Sequence, residues 1–407
     1  MKVLTERSLK HTGVASEQAI YEPCGKNTAP AIALLCRVFE MKGWSEKVVG
    51  IFPADHLIED ETRFQEAVHL GELMAEQGKV VTLGVAPNYP ATGYGYIETA
   101  GRVAATEGAL LAVGFREKPN ESTAREFIAR GGFYWNAGMF IFKVETMKSL
   151  LKAHVPDIWR LFSDLLPDLS NLTEIYKEVR TISIDYAVME RLPDHICIPC
   201  QFDWSDLGSW DAVAEILATK SDFINSQVSV DAKNNFVFPM SGKTYGLVGI
   251  DDVIVVDTPD ALLITKKGTS ERVKEVVDRL KTDSVASGTQ HKFEVRPWGS
   301  FQILHDAAEF KSKTIIVDPG AQLSYQSHSK RVEHWIFVKG CGEVVLNGEN
   351  VPVEAGKHVF IPVGAKHRVR NNSSAPLEFV EVQLGSYFGE DDIVRYMDDY
   401  QRGGVGE

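Results

Sequence analysis

The sequence predicts two unlike folds in one chain: an α/β layered domain, then a short β connector leading to an all-β barrel or jelly roll. Three observations carry this. Strand and helix patterns alternate over the first ~220 residues. From about Asn225 they give way to short β runs broken by Gly, Asp and Pro turns. From His291 to about Gln383 nearly everything reads as short strands between Gly and Pro turns. The length, 407 residues, suits two or three domains. The boundaries read as 1–222, 223–281, a linker at 282–290, and 291–407.

In chain order, Met1–Thr5 reads as a strand. The helix predicted over Ala29–Lys42 has Pro30 near its start and Gly43 after its end. Val48–Phe52 is a short apolar strand running into Pro53-Ala54-Asp55-His56. Phe64–Gln77 is an amphipathic helix and Val80–Val85 the next strand. An apolar strand followed by polar residues is what a buried parallel sheet gives, and such sheets bind ligands at strand C-terminal ends. Asp55 stands at one of those ends. The connector strands are Asn235–Met240, Tyr245–Ile250, Val253–Asp257 and Ala261–Thr265, with a helix over Glu271–Lys281. Thr282–Gln290, rich in Ser, Thr, Asp and Gly, reads as a linker. The charged tail Glu390–Gln401 reads as a helix.

Composition narrows the function classes. Apolar residues make up 44% and charged residues 24%, which provides ample core material. A net charge of −13 argues against nucleic acid and anionic membranes as partners, while leaving room for a locally basic site for a small anion. No apolar run approaches the ~20 residues that span a bilayer, and Met1–Lys10 has no apolar signal core. Five thinly spread cysteines make no disulfide framework. The Cys197-x-x-Cys200 pair falls on strand-like sequence without a second pair, and reads as structural. A reducing cytoplasm is the expected compartment.

The sharpest motif lies near the C-terminus. From Gly320 come five residues, Gln326, one residue, His328, four residues, Glu333, six residues and Gly340. From Gly356 come five residues, Pro362, one residue, Gly364, two residues, His367, three residues and Asn371. This resembles both halves of the cupin signature, with Gln326 in place of the usual first histidine. Gln326 and His328 are two apart, so on a strand they share a face. Two nitrogens and two oxygens suit zinc or another divalent first-row metal with positions open for substrate.

The runs Arg296-Pro-Trp-Gly-Ser-Phe301, Gln326-Ser-His-Ser-Lys-Arg-Val-Glu-His-Trp335 and Tyr387-Phe-Gly-Glu-Asp-Asp-Ile-Val-Arg395 resemble the type II phosphomannose isomerases. The resemblance implies a metal-dependent interconversion of mannose 6-phosphate and fructose 6-phosphate. Arg331 matches the family's arginine and is expected to hold phosphate or enediolate, with Lys313 as a second candidate. The general base stays unassigned. Ser329 and Lys330 stand where the family commonly has histidines.

That family is usually fused behind a GDP-mannose pyrophosphorylase, and the first half resembles one. The runs are Glu22–Ala33, Phe52–His56, Thr92–Ile97, Phe115–Pro119, Tyr134–Met139, Ser183–Ala187 and Asp203–Trp210. The resemblance implies a Rossmann-like mixed sheet and guanylyl transfer from GTP to mannose 1-phosphate, releasing pyrophosphate. Asp55 and Asp206 match the carboxylates that hold magnesium. Gly95 allows close approach to the sugar. Glu117, Asn136 and Asp185 are candidate sugar contacts, and Lys26 and Lys118 candidate phosphate contacts.

The family also opens with a strand and a glycine-rich run of the form GGxGTRLWPxSR, which this chain lacks. A misassigned start, a fragment and a natural truncation each account for that. The expectation is impaired guanylyl transfer, and self-association through an exposed sheet edge. Three readings stay open: a GDP-mannose-forming enzyme with a fused isomerase, an isomerase alone, and a non-catalytic sugar-phosphate-binding subunit. The usual family setting is bacterial polysaccharide synthesis.

Overall fold

Residues Lys2–Leu9 form a helix, α1, where a strand was expected. The segment lacks strand-like alternation and is rich in good helix formers. The computed structural model describes residues 2–9, 12–15, 18–103, 106–192, 194–218, 227–239, 243–283 and 291–397. Two compact units emerge, Ile20–Val213 and a second formed by Met1–Ala19 with Ala214–Glu407. Among the described residues no helix is long and apolar enough to cross a membrane.

The first unit is built on α2 (Thr28–Met41), β1 (Val48–Ile51), β2 (Leu57–Ile58), α3 (Glu61–Glu76), β3 (Val81–Val85), β4 (Tyr96–Arg102), β5 (Leu110–Arg116), α4 (Glu121–Arg130) and β6 (Phe133–Lys143). It continues with α5 (Val144–His154), α6 (Pro156–Ser163), α7 (Leu172–Glu178), α8 (Ile184–Ala187), β7 (His195–Pro199), β8 (Trp204–Ser205) and α9 (Trp210–Leu217), which runs past its boundary. Helix α2 starts where the Asn27 carboxamide accepts from the Thr28 amide, and it buries Ile32, Leu34, Cys36 and Val38.

The six-stranded sheet has the order β1-β6-β3-β7-β5-β4. It is mixed, but the parallel reading of its apolar strands needs correction. Only β3 and β7 pair in parallel; β6 runs against both β1 and β3. An apolar run records burial, not direction, and β1 is a half-buried end strand. Strand β6 does most to gather the polar residues of this unit. Trp135 is the register partner of both Val85 and Tyr96, so β4 begins along β6 where β3 stops.

The CxxC reading holds. Cys197 lies buried on β7, and burial pushes the Cys200 thiol up to about 12, which makes it a poor nucleophile.

In the second unit, β9 (Gln227–Val230) pairs in parallel with β11 (Tyr245–Val248), and β10 (Phe236–Pro239) with β12 (Val253–Asp257). β13 (Leu262–Lys266) closes against β12, and α10 (Val273–Thr282) comes next. These parallel rungs form the β-helix connector, packed on Val237, Leu247 and Val255. Of the linker, residues 284–290 lie outside the described residues.

The remainder is a two-sheet jelly roll. One sheet contains β14 (Phe293–Arg296), β15 (Gly299–Asp306), β16 (Phe310–Val317), β23 (Leu377–Gly385), β18 (Arg331–Lys339) and β21 (His358–Ile361), in that order. The other contains β20 (Glu349–Glu354), β19 (Cys341–Leu346), β22 (His367–Arg370), β17 (Tyr325–His328) and β24 (Ile393–Met397). Trp298, Trp335, Phe337, Val369 and Phe379 fill the space between them. Gly299 is required here, because a Cβ would meet the Ile316 carbonyl oxygen at 1.8 Å. The predicted tail helix is a single 3-10 turn, Glu390–Asp392, followed by strand β24; residues 398–401 lie outside the described residues. β24 pairs along β17, which would otherwise end its sheet.

His195 on β7 is buried, and neither ring nitrogen has a hydrogen-bond partner. Burial pushes its pKa down to about 4. Below the ordinary value of ~6.5 the unfolded chain binds a proton that the folded chain refuses. This stability is complete above ~6.5 and is lost as the pH falls towards 4. Urea unfolding should show roughly 2 kcal/mol lost between pH 7.5 and pH 5, and His195→Leu should remove that part of the slope.

Candidate functional site

In the first unit, the start of β4, the end of β5, strand β6 and helix α8 bring five predicted residues together. The Asn136 amide donates to the Gly95 carbonyl at 2.8 Å, and its Nδ2 donates to Asp185 Oδ1 at 2.9 Å. A Cβ on Gly95 would lie 2.7 Å from Glu117 Oε2, so this glycine is what lets the carboxylate approach the strand. Lys118 holds a left-handed φ of 47° and its Nζ lies 3.6 Å from Glu117 Oε1. Burial raises the Glu117 carboxyl, with the Asp185 charge adding to it, and burial likewise raises Asp185. The cluster is an acceptor-rich, partly desolvated pair of carboxyls beside one amide and one ammonium, which suits a polyhydroxylated ligand.

A second group forms where β2 pairs antiparallel with β8. Asp55 precedes β2 and Asp206 follows β8, so the pairing brings both to one end. Tyr94 Oη donates to Asp206 Oδ1 at 2.9 Å, and Trp204 Nε1 donates to His56 Nδ1 at 3.1 Å. Burial lowers the His56 pKa against the pull of Asp55 and Asp206. Tyr94, His56 and Trp204 lie inside the motif runs, but sequence reasoning assigns them no role. Lys26 is tied to the same unit by its backbone, its carbonyl accepting from Ile182.

In the jelly roll, the predicted ligands converge. The ligand atoms of His328, Glu333 and His367 lie within 4.8 Å of one another, all three residues buried. Gln326 pairs in register with His367 and lines the same pocket as Glu333. His367 Nδ1 donates to the Ala365 carbonyl at 2.9 Å, which leaves Nε2 as a lone pair. That Nε2 has no hydrogen-bond partner and lies 3.5 Å from Glu333 Oε2; His328 Nδ1 is also buried without one. The nitrogen that His328 turns to Glu333 is Nε2, 3.1 Å from Oε1; that nitrogen, the orphaned His367 Nε2 and the carboxylate between them in a dry site suit a cation, so the residues fit a metal. Burial alone would raise Glu333, but His328 and His367 hold it well below the usual carboxylate range.

Arg331 is buried. Its Nε donates to Glu333 Oε1 at 3.1 Å, its Nη2 approaches His328 Nε2 at 3.3 Å, and its Nη1 reaches the Gly389 carbonyl at 3.4 Å. Lys313 Nζ lies 3.6 Å from Glu381 Oε2. Glu381 and Gln383 were missed in the sequence. Both are buried on β23 and face the pocket: Trp335 Nε1 donates to Glu381 Oε1 at 3.2 Å, and Gln383 Nε2 donates to Glu381 and Glu333. Burial, then the Glu333 charge, raises Glu381 to about 7. Glu381 and Gln383 pair across the sheet with Trp335 and Glu333, a registry that the local sequence does not show.

Ser329 and Lys330 point elsewhere. Ser329 Oγ donates to Asp392 Oδ1 at 2.5 Å, both backbone amides donate to the Asp392 carboxylate, and Lys330 Nζ stands 4.7 Å over the Tyr387 ring. They anchor the Tyr387–Asp392 segment. One divalent metal per chain is expected by elemental analysis, lost in His367→Ala and kept in His334→Ala, with a lower thermal midpoint after chelation.

Three family profiles match in order: Nucleotidyl transferase over residues 2–222, MannoseP isomerase/GMP-like beta-helix domain over 225–280, and Mannose-6-phosphate isomerase C-terminal over 283–398. The chain is 38% identical to alginate biosynthesis protein AlgA of Pseudomonas aeruginosa, over 98% of this chain and 85% of that protein. It is 37% identical to mannose-1-phosphate guanylyltransferase of Escherichia coli K12, over 98% and 86%. A crystal structure described as mannose-1-phosphate geranyltransferase from Thermus thermophilus superposes with a TM-score of 0.57 at 30% identity, covering 68% of this chain and 82% of that one. With all three profiles in sequence and relatives matched nearly end to end, the chain belongs to the bifunctional mannose-1-phosphate guanylyltransferase/mannose-6-phosphate isomerase family, enzymes of GDP-mannose biosynthesis.

Proposed function

We propose that the jelly-roll pocket interconverts mannose 6-phosphate and fructose 6-phosphate, and that the first unit binds mannose 1-phosphate and GTP for guanylyl transfer. The observation that carries the isomerase reading is the buried His328–Glu333–His367 set at a pocket that also holds Glu381, Lys313 and Arg331. Zinc or another divalent metal held by Gln326, His328, Glu333 and His367 would polarise the sugar oxygens. Arg331, bound to Glu333 and His328, stands at the metal end and would hold enediolate charge. Glu381 is the pocket's second carboxyl and reads as the group that takes and returns the proton between adjacent sugar carbons.

In the first unit, Asp55 and Asp206 would hold magnesium on the triphosphate, and Lys26 and Lys118 would hold phosphate oxygens. Glu117, Asn136 and Asp185 would read the sugar hydroxyls, with Gly95 keeping the approach open. Five free cysteines fit a cytoplasmic setting. End strand β1, which has one neighbour among the described residues, supports self-association.

Two measurements test this. With metal loaded, Glu381→Gln should lower fructose 6-phosphate formation by ~100-fold or more while metal content stays at wild-type level. Equal activity would remove Glu381 from the proton path. Asn136→Ala should weaken mannose 1-phosphate binding by about tenfold in calorimetry, since it loses a sugar contact and frees Asp185.

A further inference from the structure

We propose that Arg296, Lys313 and Arg395 form the phosphate-binding wall of the jelly-roll pocket, and that Glu390 is an internal anion which a phosphorylated sugar must displace. The sugar part of this rests on the isomerase reading above; the anion part does not.

The three cations come from β14, β16 and β24, and all line the pocket that Gln326 and Glu333 also line. Arg296 opens one of the isomerase-like motif runs and Arg395 closes another, and neither has yet been given a role. Arg395 has a side chain only 14% exposed; its Nη2 donates to Glu390 Oε2 at 2.7 Å, and its Nε is buried without a partner. Arg296 and Lys313 stand 5.6 and 5.4 Å from the centre of the Phe301 ring, so one aromatic side chain carries both. Burial would raise the Glu390 carboxyl, but the Arg395 hydrogen bond outweighs it, aided by the charges of Arg395, Lys313 and Arg296. The Glu390 carboxylate is thus held ionised against Arg395, while Arg296 Nη2 meets Glu294 Oε2 at 2.7 Å and Lys313 Nζ faces Glu381 Oε2 at 3.6 Å.

That carboxylate is easy to move. The Glu390 side chain is 62% exposed, while its neighbour Asp392 is pinned by Ser329 and Lys330. A side-chain rotation frees Arg395 without unfastening the segment. A phosphate dianion offers more charge and more acceptor oxygens than one carboxylate, and guanidinium forks match it. A neutral sugar has nothing with which to displace Glu390. Arg331 is committed to Glu333 and His328, so it does not compete for this role. The wall thus selects phosphorylated sugars.

The test is calorimetric titration of the full, metal-loaded chain with inorganic phosphate, mannose 6-phosphate and mannose, alongside isomerisation kinetics. Comparing variants isolates this pocket from the phosphate-binding surface of the other unit. Glu390→Gln should bind inorganic phosphate at this pocket about threefold tighter or more, and Arg296→Met about tenfold weaker, with mannose affinity alike in all. Arg395→Met should match Arg296→Met; because the Arg395 side chain is the more buried, 14% exposed against 26% for Arg296, the exposed Glu390 and the Arg296 variants decide the outcome. Unchanged phosphate affinity in both, or weaker binding in Glu390→Gln, overturns the proposal. Binding that responds as expected without fructose 6-phosphate formation would sink the isomerase reading and leave the wall standing. Isomerisation with an unchanged KM for mannose 6-phosphate in both variants would do the reverse.

Discussion

A single buried carboxylate organises the second unit. Glu333 accepts from Arg331 Nε and Gln383 Nε2 on one oxygen and from Trp335 Nε1 on the other, with two imidazoles within 3.5 Å. A carboxylate taken out of water costs several kcal/mol unless it is paired and hydrogen-bonded. Each partner it recruits is itself buried and polar, and must in turn be satisfied. Trp335 and Gln383 turn to Glu381, Glu381 faces Lys313, and Arg331 reaches the Gly389 carbonyl. The pocket is the chain of obligations created by placing one charge at its floor.

The first unit solves a different problem, that of bringing short polar groups to one point of a sheet. It does so by laying β3 and β4 along the same strand. Gly95 and Glu117 flank the paired ends of β4 and β5, and Asn136 of β6 donates to the Gly95 carbonyl, so strand pairing places all three. Sites held by strand registry keep their geometry better than sites held by loops alone.

The sequence was readable where chemistry depends on local spacing. Gln326 and His328 share a face because they are two apart, and the Pro362-x-Gly364 turn announces His367. It was silent where the answer depends on long-range registry. An apolar run such as Val48–Ile51 reports burial but not whether its neighbour runs with it or against it. Five residues of β24, mixing Arg395 with apolar side chains, look as much like a charged helix as a strand until β17 is there to pair with. Glu381 and Gln383 resemble the polar half of an ordinary alternating strand, and only the fold turns that half inward. Arg296 and Arg395, almost a hundred positions apart, give no local hint that they line one pocket.

The ladder between β17 and β24 pairs Gln326 with Arg395 and His328 with Ile393. One strand therefore carries two candidate metal ligands while its neighbour carries a cation of the pocket wall. A substitution that breaks this ladder would therefore disturb both edges of the pocket at once.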